Sequence, residues 1–338
     1  MLSSDFECAR DAFLKPGGIE NKTGGFGLSF HSRLIRELHG QAMWDDPWAH
    51  WLNFRRHGGD AQGKSRIEVQ TAQYADKLLD ALALRPGSAL LDIGSGEGLI
   101  GFTALAREPQ LRVTFTDISL LLLDGCRTRA RAAGVSDQCH FLRCSAAGLA
   151  ASEASQDLVT ARSVLAYEAN KVAAFEEMYR VLRPGGRFSI AEPLFREEAL
   201  AAAGARDRVT RRGEPVLALL HRWKAAQFPD TQEAIASCPF TNYDERTLLR
   251  MAQGAGFTSL HLELHVDIQP SPPRNWEGFL QMSPHPLAPS LGDIIEERFS
   301  PAEAAMLERT LRPAVEAGGT PQTKRMIYLS GEKPASNC

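Results

Sequence analysis

The stretch that most narrows the fold is LLDIGSGEGLIGF at residues 90–102. An apolar run suited to a fully buried strand passes straight into glycines at Gly94, Gly96, Gly98 and Gly101. A strand, a tight glycine turn and a helix in that order open a sheet whose parallel strands are joined by right-handed crossovers. The sequence that follows keeps the alternation. Ser88–Ile93 reads as a buried strand, Glu97–Arg107 as a helix, RVTFT at 112–116 as a strand, and Ser119–Ala133 as a helix stopped by Gly134. HFLRC and DLVTARSVL supply a third and a fourth strand. Lys171–Leu182 reads as a helix closed by Arg183-Pro184-Gly185-Gly186, and RFSIAEP as a fifth strand. The expected class is α/β, with a doubly wound, mostly parallel sheet covered on both faces.

The flanks are less regular. Residues 1–30 are glycine-rich and read as an arm or lid, followed by helical spacing over Ser32–Trp44 and a tryptophan-rich stretch, MWDDPWAHWLNFRRHGG. Arg66–Leu84 is expected to be a helix with Ile67, Val69, Ala72, Leu78, Leu79 and Leu82 inward. After Pro193 the pattern loosens into helices over 195–240, then a helix Asp244–Gly254 capped by Asp244 or Asn242, and a strand TSLHLELHVDI. Residues 269–320 read as a proline-rich loop and two helices, and TKRMIYLSG as a last strand. The expected division is 1–65 as N-terminal arm and helical lid, 66–193 as the ligand-binding core, and 194–243 as a helical cap. Residues 244–338 complete the sheet, with a helical insertion at 269–320.

Composition excludes several classes. With 338 residues and 43% hydrophobic content the chain can bury a full core. A net charge of -3 argues against a nucleic-acid groove, and Arg206, Arg208, Arg211 and Arg212 read as a solvated helix face. No run of about 18 apolar residues is present, so no membrane span is expected. The start lacks an apolar signal core, and the six cysteines are too scattered for a disulfide framework. Together these predict reduced thiols and a cytoplasmic protein. CHFLRC at 139–144 alternates as a strand does, so no metal site is expected.

The glycine loop admits two ligands. Gly96, Gly98 and Gly101 with Asp117 about twenty residues from the turn match the dinucleotide fingerprint taken loosely. The register argues otherwise. Asp92 stands two residues before Gly94, where a carboxylate would repel a pyrophosphate but suit a ligand carrying an amino group and a sulfonium. Asp117 ends the second strand, placed to accept hydrogen bonds from ribose hydroxyls.

With LLDIGSGEG, FTDIS and MYRVLRPGGRFSIAEP all present, the chain resembles the class I S-adenosylmethionine-dependent methyltransferases of small-molecule type. The resemblance is clear over residues 66–193 and extends by pattern to 268. It implies a Rossmann-like, seven-stranded sheet whose last strand, TKRMIYLSG, is antiparallel. It also implies S-adenosyl-L-methionine as cofactor. Gly94, Gly96 and Gly98 would let the backbone approach the methionyl part and ribose, with Asp92 orienting the loop or meeting the amino group. Asp117 and Ile118 would hold ribose and adenine, and Ser145 and Ala146 the adenine edge. The family commonly has an aspartate there, whereas this chain reads CSAAGL, which shifts the expected adenine contact to the backbone. Arg162 and Ser163 would bind the cofactor at its methionine end, and Tyr167 would face the substrate.

For an acceptor that must lose a proton, His31, His221 and Glu192 are the candidate bases. Trp44, Trp48 and Trp223 are candidate substrate contacts, since aromatic faces suit an apolar acceptor and a nearby sulfonium. The expected partner is a small molecule, with no nucleic acid and no membrane. Helices around 30–80 either pair two copies as a homodimer or close over their own site. Three alternatives remain at this level: one-carbon transfer with another carrier such as tetrahydrofolate, an NAD(P)-dependent oxidoreductase, and a non-catalytic nucleotide-binding protein.

Overall fold

The computed structural model describes residue 43 and residues 45–335. The expected arm, the helix at 32–44, His31 and Trp44 lie outside the described residues.

Seven strands form one sheet: β1 (Ala89–Ile93), β2 (Arg112–Asp117), β3 (Cys139–Arg143), β4 (Gln156–Arg162), β5 (Leu182–Pro193), β6 (Thr258–Pro270) and β7 (Pro321–Glu332). Their order is β3-β2-β1-β4-β5-β7-β6. The first five run parallel, and β7 inserts antiparallel between β5 and β6. The sequence-based class is therefore the observed one, antiparallel last strand included.

The pleat sends alternate residues to opposite faces. On one face Leu91, Ile93, Val159, Ala161, Phe188 and Ile190 pack on helices α4 (Lys171–Val181) and α8 (Glu245–Gly254). On the other, Leu90 and Leu158 pack on α1 (Ala61–Asp80), α2 (Leu99–Arg107) and α3 (Leu120–Ala132). Each fully buried Leu or Phe contributes about 1.5–3 kcal/mol of transfer free energy, so both layers are held by apolar burial.

Local chemistry sets the helix ends. Asp60 accepts from Gln62 N at 3.0 Å and starts α1. Ser119 accepts from Leu122 N at 3.1 Å and starts α3. Asp244, not Asn242, caps α8 through Thr247 N at 2.8 Å. α1 differs from its expected inward face. Val69 is 63% exposed and Ala72 is exposed, whereas Thr71, Ala75, Leu78 and Leu79 are buried. The buried stripe starts polar and turns apolar one turn later, which an apolar-only search misses.

The remaining helices are α5 (Arg196–Arg212), α6 (Pro215–Ala225) and α7 (Gln232–Ser237), then α9 (Trp276–Gln281), α10 (Leu291–Arg298) and α11 (Pro301–Ala317). The stretch 269–320 thus holds three helices rather than two. Leu219, Trp276, Leu291 and Leu307 form one small core joining α6 to those three. Ala199, Ala202, Phe228, Ile235 and Phe240 form a second around α5 and α7.

Candidate cofactor and acceptor site

In an open sheet, the point where strand order reverses leaves a crevice at the carboxyl ends of the two central strands. Here that point lies between β1 and β4, and a cleft of about 2440 Å³ opens there. It is larger than one cofactor needs, since single-ligand pockets are on the order of 300–1,000 Å³.

The loop after β1 forms its floor. Gly94 has φ +58°, and a Cβ there would stand 2.3 Å from Val164 Cγ2, so only glycine fits. Gly96 N–H donates to Asp117 Oδ2 at 2.9 Å, while Ser119 N–H donates to Oδ1 at 2.9 Å. Asp117 therefore shapes the loop and also faces the cleft. Burial first, and Asp46 nearby, push its carboxyl above the ordinary range. Ser119 Oγ donates to Asp46 Oδ2 at 2.6 Å, and Asp46 caps the short helix Pro47–His50. This chain of bonds ties the segment carrying Trp48 to the tip of β2. Ile118, 37% exposed, lines the same wall with Ser145 and Ala146.

Two expected contacts fall elsewhere. Asp92 is buried and does not line the cleft; its Oδ2 accepts from Gly101 N–H at 3.1 Å and its Oδ1 from Thr160 Oγ1 at 3.1 Å. Burial raises its carboxyl to about 7. Of the two roles expected for Asp92, the geometry gives loop orientation and not contact with a ligand amino group. Its charge consequently does not repel a pyrophosphate by contact, as the register reading supposed. Gly98 also lies off the cleft, as the left-handed N-cap of α2.

Glu192, a candidate base for an acceptor that must lose a proton, lies near the end of β5. It is fully buried, and its Oε1 and Oε2 accept from Val164 N–H and Ala166 N–H at 3.0 Å each. It does not line the cleft. Burial raises its carboxyl while the amides oppose that shift. It holds the β4–α4 loop in place, and with it Ser163, whose φ is +56°. Such strain persists where the surroundings over-determine the backbone. Arg162 registers with Ala191, so the pleat turns Arg162 and Glu192 to opposite faces of neighbouring strands.

Arg162, Ser163, Tyr167 and Trp48 all line the cleft, with Trp48 edge-on to Tyr167 at 5.0 Å between ring centroids. Burial raises the Tyr167 hydroxyl well above its ordinary range, so it stays protonated. His221 does not line the cleft; its Nε2 lies 2.8 Å from Asp230 Oδ2, and Asp230 does line it. Trp223 does not line the cleft and packs within the cap, with Phe279 at 6.1 Å and Lys224 over its ring.

The sequence reading missed one wall. Lys64, Glu68, Thr71 and Tyr74 of α1 line the cleft, together with Arg56. Their spacing of four, three and three residues is helical, and it is the polar half of the same stripe that buries Leu78. Among the described residues, no cluster of His, Cys, Asp and Glu could hold a metal ion, and no helix is long and apolar enough to cross a membrane.

A doubly wound sheet with a glycine loop and an acid at the tip of β2 defines a nucleoside-binding enzyme class. A family model described as a methyltransferase domain matches residues 84–256, just over half of the chain. The chain belongs to this methyltransferase family, whose methyl donor is S-adenosyl-L-methionine. It is 34% identical over 119 residues to the ubiquinone/menaquinone biosynthesis C-methyltransferase UbiE of Cereibacter sphaeroides, covering 35% of this chain and 48% of that one. It is 28% identical over 193 residues to the 27-O-demethylrifamycin SV methyltransferase of Amycolatopsis mediterranei, covering 55% of this chain and 71% of that one. The match thus spans about half the length of the first of these relatives. Among solved structures, a phosphoethanolamine N-methyltransferase 2 of Haemonchus contortus aligns with a TM-score of 0.47 at 16% identity, over 91% of this chain and 60% of that one.

Proposed function

We propose that this chain transfers a methyl group from S-adenosyl-L-methionine to a small-molecule acceptor by in-line displacement. The observation that carries the reading is the convergence of Gly94, Gly96 and Asp117 on a cleft that also holds Trp48 and Tyr167. When bound, the cofactor supplies a methyl carbon activated by its sulfonium. The glycine cradle suits it, because Gly94 and Gly96 line the cleft with no side chain between their backbone and a ligand. Asp117 has lone pairs left for ribose hydroxyls after accepting from Gly96 and Ser119. Ile118, Ser145 and Ala146 hold the adenine, and Ser163 stands at the methionine end. Asp92, Gly98 and Glu192 keep this frame rigid.

The protein's contribution is alignment and dryness, which account for about 7–11 kcal/mol of such a barrier. Trp48 and Tyr167 exclude water and place aromatic surface beside the reacting region. Where the acceptor must shed a proton, Asp230, hydrogen-bonded to His221, is one of the carboxylates that line the cleft and the one backed by a histidine. On this reading residues 66–193 are the cofactor-binding core, and 194–243 with the insertion 269–320 are the cap. The free thiols of Cys126, Cys139, Cys144 and Cys238 suit a reducing cytoplasm. Residues 45–56, several of which line the cleft, close over it or pair two copies.

Titration calorimetry with S-adenosylhomocysteine and transfer of a labelled methyl group to a metabolite pool test this. Asp117→Ala is expected to weaken cofactor binding by about 10- to 100-fold, as loss of hydrogen bonds to a charged group of about 1.5–3 kcal/mol requires. Unchanged affinity would show that Asp117 does not hold the ribose.

A further inference from the structure

Arg162 is the last residue of β4 and lines the cleft on the face covered by α1. It is half-buried in the cleft wall, and among the described residues it forms neither a hydrogen bond nor an ion pair. Five N–H donors on a permanent cation are thereby left for something else. The acids whose field reaches it are committed already. Asp92 accepts from Gly101 and Thr160, and Glu192 from Val164 and Ala166 on the opposite face. The other two neighbours, Tyr74 and Tyr167, line the cleft as neutral hydroxyls.

A second cation adds to the imbalance. Arg56 lines the cleft, and its buried Nε has no partner. Its ion pair with Glu97 is 3.7 Å long, beyond a hydrogen bond, and Arg162 repels it. An anion between the two guanidinium groups would relieve both. Arg56, Lys64, Arg162 and Lys324, the last hydrogen-bonded to Gln70 of α1, face Glu68 and Glu97 on this wall, so positive charge is in excess there. Planar forks also match the planar carboxylate.

We infer that Arg162 and Arg56 form a carboxylate subsite, and that the methyl acceptor is an organic acid whose carboxylate docks there. The inference rests on the methyltransferase reading and names the acceptor class. The same chemistry has a second source, the cofactor's own α-carboxylate, and the experiment separates the two.

The full chain and its Arg162→Met and Arg162→Lys variants are titrated with S-adenosylhomocysteine. With that ligand saturating, thermal shift is then read for a panel of aliphatic and aromatic monocarboxylic acids, each beside its methyl ester. Expected is saturable stabilisation by acids and not by their esters. Arg162→Met should weaken it by about tenfold or more, Arg162→Lys less, with cofactor affinity changed by less than about threefold. Acids and esters acting alike, no acid acting, or an unchanged response in Arg162→Met would each overturn the inference. So would a collapse of S-adenosylhomocysteine affinity in both variants, which would assign the fork to the cofactor. If the unaltered chain does not bind S-adenosylhomocysteine, the methyltransferase reading falls and the inference with it. Binding of the cofactor without the acids removes the inference alone.

Discussion

Asp92 carries a carboxyl held at about 7 by burial, against an ordinary value of 3.8. The folded chain therefore binds this proton more tightly than the unfolded chain. The group favours the fold below about pH 4 and withdraws that support as pH rises through 7. Asp92→Asn keeps the shape and removes the titration. Urea midpoints measured between about pH 5 and pH 8 should fall less for Asp92→Asn than for the unaltered chain. An equal fall in both would mean that another group sets the slope. The sequence made Asp92 visible but not its direction. A carboxylate two residues before a glycine turn looks alike whether it points to ligand or to Gly101 N–H, and only the pleat and Thr160 on β4 decide.

At the scale of elements, the glycine loop and the β4–α4 loop are built against each other. Gly94→Ala combines a left-handed backbone with the collision at Val164, so it should destabilise the chain and reduce cofactor binding. Adding Val164→Ala should recover the steric part only. The backbone part, about 1–2 kcal/mol, should persist in chemical denaturation. Glu192→Gln keeps one acceptor and turns an amide N–H toward the other backbone donor. A stability loss of about 1–3 kcal/mol is expected, with slower methyl transfer caused by a displaced Val164 and Ser163. A Glu192→Gln protein as stable as its parent would contradict the positioning role. The strands of this region were legible because apolar runs bounded by turn residues recur between helical periods. The inner face of α1 was not, because Thr71 and Ala75 continue a stripe that begins with Lys64 and Glu68.

Across the whole molecule, the helical additions assign their tryptophans to different tasks. Trp48 faces the cleft and Trp223 packs within the cap. Trp223→Ala should lower stability by up to about 3–5 kcal/mol, the cost of truncating a packed aromatic, and leave cofactor affinity near its original value. Trp48→Ala should instead weaken cofactor or acceptor binding. Calorimetric unfolding and cofactor titration on the two variants separate these effects, and a reversed pattern would place the cap differently. Neither task could be read from composition, since Trp48 and Trp223 both sit in weakly periodic stretches where only tertiary neighbours distinguish cleft from core. The parallel part of the sheet was legible, because strands alternating with helices imply right-handed crossovers, whereas the antiparallel β7 followed from the family resemblance alone.

The most direct measurement is calorimetric titration of the full chain and Asp117→Ala with S-adenosylhomocysteine. Saturable binding at one site per chain, weakened by about 10- to 100-fold in Asp117→Ala while that variant, less stable for the loss of its bonds to Gly96 and Ser119, still unfolds in one cooperative transition, is the expected result. An unaltered chain that takes up no S-adenosylhomocysteine, or an Asp117→Ala variant that binds it equally well, would contradict the placement of a sulfonium nucleoside on the β1 and β2 tips.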